Sequence, residues 1–312
     1  MPSPLFPDFT PFDVVTDAAN NITIHGIRSN NHHLHLPPVL LLHGFPQTHA
    51  IWHKVAPALL PHYTLVALDL RGYGASSKPP PTPSHAPYSK SAMASDCVHV
   101  MRAHFNYSSF YVLAHDRGAR VAHQLCVNHP DAVQKAMLLD ICPTLAMFEK
   151  TDAAFARAYW HWFFLSQSAP VPETFMKAAP AREWLALFTV GAKNTGAAVG
   201  KRSDFFTAEA FEAYVQAAER EGAVEAFCED YRAAATVDCE EQKADRENGR
   251  KIKCDLRVLW GGKAVIERFF EALEEWRRVC EGEVSGGAVD SGHYVPEEVP
   301  DEVVRNAKEF FV

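Results

Sequence analysis

The amino-acid sequence predicts an α/β fold with a mostly parallel central sheet, flanked by helices and interrupted by an inserted helical cap. Three observations lead to this prediction. Short runs of aliphatic and β-branched residues recur along the chain, helical patterns separate several of them, and the alternation stops between about residues 149 and 248. Continuous apolar runs that alternate with helices are typical of parallel strands covered on both faces.

The length and composition of the chain restrict the classes of protein to which it can belong. The chain has 312 residues, which is enough for one large domain or for one domain with an insertion. Its net charge of −8 gives no electrostatic support for a nucleic-acid partner. The N-terminus lacks the pattern of a secretory signal, and no apolar stretch approaches the ~20 residues that span a membrane. Seven scattered cysteines without a C-x-x-C pair favour free thiols. We therefore expect a soluble cytoplasmic protein without a membrane partner.

Seven runs have strand character. In chain order they are "FDVVT", "ITIHGI", "PVLLLHGF", "TLVALDL", "FYVLAH", "KAMLLDI" and "LRVLWGG". Only the short polar link "DAANN" separates the first two, which predicts an antiparallel hairpin at the edge of the sheet. Between later runs, "SKSAMASDCVHVMRAHF" and "VAHQLCVNHP" have helical patterns.

The alternation of strand and helical patterns ends after "LLDICPT". The chain becomes helical, aromatic and charged, and strand character returns only with "LRVLWGG". We therefore expect residues 1–148 and 249–312 to form the α/β core and residues 149–248 to form the cap.

Candidate catalytic residues follow the strands, where open α/β sheets bind ligands. After "FYVLAH" comes "DRGAR", a strand-to-helix turn with small residues that would present Asp116 above the sheet. A carboxylate there can attack saturated carbon and form an ester on the enzyme. The alternative is a structural Asp–Arg ion pair that caps the helix.

Two further strand ends and a turn near the C-terminus offer complementary groups. "HGFPQ" provides the backbone N–H of Phe45 as half of an oxyanion hole. "AMLLD" ends on Asp140, and "GGAVDSGHYVPEE" places His293 in a turn of small residues. A histidine oriented by a buried carboxylate can activate water near neutral pH.

The motifs "HGFPQT", "DLRGYGASSKP", "HDRGAR", "LLDICPT", "FARAYWHWFFL", "DYRA" and "SGHY" together resemble the α/β-hydrolase fold, and specifically the fluoroacetate (haloacetate) dehalogenases. The resemblance runs from about Phe12 to the last helix. It implies Asp116 as nucleophile, His293 as base and Asp140 as its acid partner. The same resemblance implies a clamp for the substrate carboxylate and a halide pocket. The clamp would consist of Arg117 and Arg120, and the pocket of His161, Trp162 and Tyr231.

The chemistry of these residue types agrees with those roles. Two guanidinium groups in a cleft require an anion, and their planar donors suit a small carboxylate. Imidazole, indole and phenol groups are donors that can converge on a departing halide. The expected oxyanion hole consists of the N–H groups of Phe45 and Arg117. The reaction requires no metal or organic cofactor. Dimerisation is common in this family, so a homodimer is an expectation that the resemblance alone carries.

Two other functions fit parts of the same pattern. An epoxide hydrolase would use the same Asp–His–Asp groups, with Tyr231 and Tyr159 protonating the epoxide oxygen. A ligand-binding protein on this fold would need no intact triad. The histidines of "NHHLH" include His33 and His35, but no third metal ligand lies nearby in the sequence, so a solvated loop is expected there.

Overall fold

An eight-stranded sheet forms the centre of the computed structural model, which describes residues 4–189 and 203–312. The strands are β1 (Phe9–Asp17), β2 (Ile22–Ser29), β3 (Pro38–Leu42), β4 (Thr64–Leu68), β5 (Phe110–His115), β6 (Val133–Leu139), β7 (Asp255–Gly261) and β8 (Val284–Val289). Their order across the sheet is β1-β2-β4-β3-β5-β6-β7-β8. The α/β fold predicted from the sequence is confirmed.

The predicted edge hairpin is also confirmed. β1 and β2 pair antiparallel at one edge, β2 pairs antiparallel with β4, and the remaining neighbours pair parallel. The parallel strands are buried on both faces, which explains why their sequences are almost continuously apolar.

Helices surround the sheet and fill the region between β6 and β7. They are α1 (Ala56–Leu59), α2 (Lys90–Val98), α3 (Asp116–Asn128), α4 (Thr144–Glu149), α5 (Ala153–Ala158), α6 (Trp160–Leu165), α7 (Val171–Lys177), α8 (Ala181–Thr189), α9 (Ala208–Ala218), α10 (Ala223–Ala235), α11 (Val237–Glu247), α12 (Val265–Phe269), α13 (Ala272–Arg278), α14 (Val295–Glu298) and α15 (Pro300–Phe310). A π-helical turn at His99–His104 continues α2. None of the helices in the described ranges is long and apolar enough to cross a lipid bilayer.

The insertion, α4 to α11, separates β6 from β7 in the chain. Its described parts are helical, as the sequence predicts. Residues 190–202 of the expected cap lie outside the described residues. The division into a core of 1–148 and 249–312 and a cap of 149–248 stays a prediction.

Apolar side chains pack on both faces of the sheet. One cluster surrounds Trp52 and Phe310, beneath α1 and α15. The larger cluster lies on the other face and continues into the insertion through Trp162 and Trp184. The continuity of that cluster fixes the inserted helices above the carboxyl ends of the strands.

The register of the parallel strands brings three strand ends together. Leu42 pairs with Ala114, and His115 pairs with Leu139, so β3, β5 and β6 end at one level. The residues that follow therefore share one edge of the sheet, and they include Asp116 and Asp140. This alignment positions the candidate site.

One strand is absent from the sequence-based prediction. β8 has the sequence "VSGGAV", and Gly286 within it adopts a φ of +131°. Glycine lowers strand propensity and offers no side chain for packing. β8 forms because β7 supplies a complete parallel partner, from Leu256 opposite Val284 to Gly261 opposite Val289.

A glycine at the start of α3 provides a test of this packing. A Cβ on Gly118 would lie 2.3 Å from the backbone oxygen of His43. We expect Gly118→Ala to lower the free energy of unfolding by about 1–3 kcal/mol, because the backbone of β3 must move. Gly287→Ala is the control, since a Cβ there meets nothing within 4 Å. Chemical denaturation measures both, and equal stability of the two variants would contradict the packing described.

Candidate active site

The turn between β5 and α3 presents Asp116 above the sheet. Asp116 adopts a φ of +46°, a left-handed conformation that costs about 1–3 kcal/mol for a residue with a side chain. Gly44 makes room for it, because a Cβ on Gly44 would lie 2.4 Å from the Cβ of Asp116. The "HGFPQ" loop and the "HDRGAR" turn therefore fit together only with glycine at position 44.

The Asp116 carboxylate is buried and ionised. Its Oδ1 accepts a hydrogen bond from the Phe45 N–H at 2.9 Å, and its Oδ2 lies 3.8 Å from His293 Nε2. Burial raises the pKa of Asp116. The positive charges of His293, Arg117 and Arg120, of which that of His293 has the largest effect, outweigh burial and hold the pKa of Asp116 below its ordinary value. The carboxylate is therefore available as a nucleophile at neutral pH.

His293 and Asp140 form a bonded pair beside it. His293 Nδ1 lies 2.5 Å from Asp140 Oδ2, and Asp140 Oδ1 accepts the N–H of Gly261 at 2.9 Å. Burial lowers the pKa of His293, but the hydrogen bond to Asp140 and the carboxylate charges raise it above its ordinary value. His293 Nε2 lies too far from Asp116 for a direct hydrogen bond, so it remains available to take a proton from water.

Two residues that the sequence analysis did not single out hold the loop of His293. Glu298 accepts the N–H groups of Gly292 at 2.7 Å and Tyr294 at 2.9 Å, one on each side of the base. His115 Nε2 donates to the backbone oxygen of His293 at 2.8 Å. Burial lowers the pKa of His115 to about 3, so this ring is neutral. Glu298 lies in the quoted "SGHYVPEE" stretch, but the sequence does not reveal which way its side chain turns.

Arg117 is already paired inside the protein. Its Nε donates to Asp230 Oδ2 at 2.7 Å, and its Nη2 donates to Asp230 Oδ1 at 3.1 Å and to the Asp230 backbone oxygen at 2.8 Å. Nη1 is buried without a hydrogen-bond partner among the described residues. The bidentate edge that we expected for a substrate carboxylate is thus occupied by Asp230, and one donor group is left.

Arg120 has no carboxylate bonded to it within the described residues. Its Nη1 donates to the backbone oxygen of Cys142 and to Thr144 Oγ1, and its Nη2 contacts Met147 Sδ. Nε is buried without a partner in the same part of the chain. A buried cation bonded only to neutral groups favours a nearby anion strongly.

Asp230 is a further residue that the sequence reasoning missed. Besides Arg117, it accepts Tyr73 Oη at 2.6 Å and Lys90 Nζ at 2.5 Å. Its position directly before Tyr231 in "DYRA" was visible in the sequence. Its partners were not, because they lie in distant parts of the chain.

The three expected halide-binding residues lie together on α6 and α10. The ring centroids of Tyr231 and His161 are 6.0 Å apart, and those of Tyr231 and Trp162 are 6.5 Å apart. Each arginine lies over one of these rings, Arg117 over Tyr231 at 4.3 Å and Arg120 over Trp162 at 4.4 Å. These cation–π contacts join the two arginines to the aromatic cluster.

The donors in this cluster are neutral. Burial lowers the pKa of His161 to about 3, so its imidazole carries one N–H and no charge at neutral pH. Trp162 Nε1 is buried without a hydrogen-bond partner among the described residues. Burial and nearby Asp116 raise the pKa of the Tyr231 hydroxyl well above its ordinary range, so it keeps its proton.

A cavity of about 270 Å³ opens onto Asp116. Five of the expected site residues line it, namely Phe45, Asp116, His161, Tyr231 and His293, and Tyr159 joins them. The other four do not line the cavity and are almost completely buried, namely Arg117, Arg120, Asp140 and Trp162. The structure therefore gathers every expected site residue around Asp116, in two layers.

One potential metal-binding group lies elsewhere among the described residues. Ligand atoms of His25, His49 and Asp69 lie within 4.8 Å of one another, beside a different cavity. Asp69 Oδ1 already accepts the N–H of His49 at 3.0 Å and its Nδ1 at 2.8 Å. This cluster is separate from Asp116. His33 and His35 are exposed and are not part of it.

Known proteins resemble this chain in sequence and in structure. A family profile described as alpha/beta hydrolase fold matches residues 37–214. The fluoroacetate dehalogenase of a Burkholderia species is 41% identical over 88% of this chain and 86% of its own length. The soluble epoxide hydrolase of a Corynebacterium species (strain C12) is 29% identical over 94% of this chain and 98% of its own. A crystal structure of an alpha/beta hydrolase from Nostoc sp PCC 7120 superposes with a TM-score of 0.88 and 42% identity, covering 98% of this chain and 99% of that one.

The electrostatics of His293 yield a prediction. We expect its imidazole to titrate above 6.5, and Asp140→Asn to lower that pKa, because the hydrogen bond and charge of Asp140 are the largest causes that raise it. In that variant the burial of His293, which lowers its pKa, would be the dominant effect. NMR titration of the imidazole resonances measures both values. A pKa that is unchanged in the Asp140→Asn variant would contradict the pairing described.

Proposed function

The chain belongs to the haloacetate dehalogenase family of the α/β-hydrolase superfamily, and on that premise we propose that this hydrolase cleaves the carbon–halogen bond of haloacetates. Fluoroacetate would give glycolate and fluoride. The observation that carries the proposal is that three buried donors, Arg117 Nη1, Arg120 Nε and Trp162 Nε1, have no hydrogen-bond partner in residues 4–189 and 203–312. Each such group costs about 1–3 kcal/mol unless a ligand satisfies it.

The charge of Arg120 supports an anionic substrate. Arg117 is paired with Asp230, whereas the hydrogen bonds of Arg120 within the described part of the chain all go to neutral groups. Asp116 is the anion that stabilises the charge of Arg120 most. A substrate carboxylate supplies the missing negative charge and accepts the free donors of both arginines. A neutral haloalkane would leave them unsatisfied.

The first chemical step is displacement of halide by Asp116. Oδ1 is held by Phe45, which leaves Oδ2 to attack the α-carbon in line with the carbon–halogen bond. A carbon–oxygen bond forms, and the halogen leaves with the bonding electron pair as halide. His161, Trp162 and Tyr231 would donate to it. In comparable oxyanion sites one such donor is worth about 3–4 kcal/mol.

The second step is hydrolysis of the ester. His293, oriented by Asp140, takes a proton from water as the oxygen attacks the carbonyl carbon of the Asp116 ester. The developing oxyanion lies where Asp116 Oδ1 now accepts the N–H of Phe45, and we assign the N–H of Arg117 as the second donor. No hydrogen bond from Arg117 N to Asp116 is found in the described chain. Collapse breaks the bond between the Asp116 carboxyl carbon and the oxygen that bridges to the substrate, and the imidazolium of His293 returns its proton to that departing oxygen. Glycolate leaves, and loss of the remaining proton to solvent restores the Asp116 carboxylate.

One observation favours epoxide hydrolysis as a second candidate. Tyr159 and Tyr231 both line the cavity with Asp116, and neither hydroxyl has a hydrogen-bond partner among the described residues. Burial raises the pKa of both hydroxyls well above the ordinary range, so both are protonated donors. The same Asp–His–Asp groups would open an epoxide. We rank this function second because an epoxide has no negative charge for Arg120.

Halide release tests the proposed reaction. We expect the purified protein to release fluoride from fluoroacetate, and Asp116→Ala to reduce the rate by roughly 10⁴-fold or more, because this variant lacks the carboxylate that forms the ester. Asp131→Ala, at an exposed position, should retain the rate. An ion-selective electrode measures fluoride. Epoxide opening without halide release from fluoroacetate or chloroacetate would contradict the proposal.

The difference between Arg117, which is paired with a carboxylate, and Arg120, which bonds to neutral groups, leads to a second prediction. We expect Arg120→Gln to raise KM for haloacetate by about 10- to 100-fold, because a hydrogen bond to a charged group contributes ~1.5–3 kcal/mol. Arg71→Gln is a matched control, since Arg71 is also buried but bonds to Asp96. Steady-state halide release at several substrate concentrations gives KM. An equal rise in KM for both variants would mean that Arg120 acts only through stability.

A further inference from the structure

A network of buried charges links the nucleophile helix to the insertion. Arg117 and Asp230 are completely buried, and Lys90 is 1% exposed. Lys90 Nζ lies 2.5 Å from Asp230 Oδ1 and 3.2 Å from Asp238 Oδ2. Two positive charges, Lys90 of α2 and Arg117 of α3, thus balance two negative charges, Asp230 of α10 and Asp238 of α11. Removing one member leaves a buried charge without its partner, which proteins tolerate poorly.

We propose that Asp230 is a positioning residue for the reaction, which orients Arg117 so that only Nη1 can reach the substrate carboxylate. This inference rests on the proposed function. Asp230 contacts no expected substrate atom and acts through Arg117.

The geometry fixes the guanidinium in two ways. Asp230 holds Nε and Nη2 through a side-chain and a backbone oxygen, so the plane of the guanidinium cannot rotate. The ring of Tyr231 packs against that plane with 4.3 Å between Cζ and the centroid. Because Tyr231 follows Asp230 in α10, one short segment determines the position of both the clamp and a halide donor.

Tyr73 and Lys90 keep Asp230 in the required state. Their hydrogen bonds and the charge of Arg117 satisfy both carboxylate oxygens. Burial raises the pKa of Asp230, but the charges of Arg117 and Lys90 more than reverse this and leave the carboxylate ionised. A fixed, ionised Asp230 gives Arg117 one preferred orientation before any substrate arrives.

Asp230→Asn tests the inference against a matched control. We expect this variant to raise KM for haloacetate by about 10- to 100-fold, since Arg117 loses its charged partner and its orientation. Asp238→Asn removes an equally buried carboxylate from the same lysine, but Asp238 has no bond to Arg117. It should lower the melting temperature while KM changes less than about threefold. Asp230→Glu, which keeps the charge, should recover part of the loss.

A double-mutant cycle shows whether Asp230 acts through Arg117. We expect Asp230→Asn to have no further effect on KM in an Arg117→Met background. The double variant lacks both members of the pair, and in Arg117→Met alone Asp230 keeps its ion pair with Lys90. Neither protein therefore contains the unpaired arginine that could prevent Asp230→Asn from folding. Comparing Arg117→Met with the double variant therefore gives a result even if Asp230→Asn alone is insoluble.

The outcomes separate this inference from the proposed function. A further rise in KM in the Arg117→Met background, or an equal rise in KM for Asp238→Asn, would overturn the positioning role of Asp230 alone. Wild-type protein that releases no halide from fluoroacetate or chloroacetate would overturn the proposed function and this inference with it. A large KM effect confined to backgrounds with Arg117 would support both.

Discussion

Two guanidinium groups buried at the start of α3 are the constraint on which the arrangement around Asp116 depends. Buried charges require partners, and this chain meets the requirement differently for each arginine. Arg117 bonds to Asp230 of the insertion, whereas the described partners of Arg120 are neutral acceptors and the ring of Trp162. Together they help to keep Asp116 ionised in a site where burial alone would favour its protonated form. In the proposed reaction the same charges would also favour the binding of a second anion, the substrate carboxylate.

The insertion contributes as many groups to the surroundings of Asp116 as the sheet does. The sheet provides Asp116, Asp140 and His293 at its carboxyl edge, and the inserted helices provide the aromatic donors above them. The Arg117–Asp230 pair connects the two parts within the site. In the proposed reaction these contacts, which exist before the substrate enters, would couple substrate binding to halide stabilisation and reduce the reorganisation needed.

The sequence predicts which residues lie close together where each of them directly follows a parallel strand. Asp116 and Asp140 each come immediately after a buried apolar run, and parallel strands end at one edge, so their proximity could be predicted. The pairing of Arg117 with Asp230 could not, because the two residues are 113 positions apart and the direction of each side chain depends on packing. β8 was missed because its stability comes from its neighbour and not from its own glycine-rich sequence.

A single turnover in water enriched in heavy oxygen shows whether Asp116 attacks the substrate and water then attacks Asp116. The protein is in excess over haloacetate, and mass spectrometry follows both protein and product. We expect the heavy oxygen to enter the Asp116 carboxylate and the glycolate of this first turnover to contain none. Heavy oxygen in the glycolate, with an unlabelled Asp116, would show that water attacks the substrate directly and that no ester forms on Asp116.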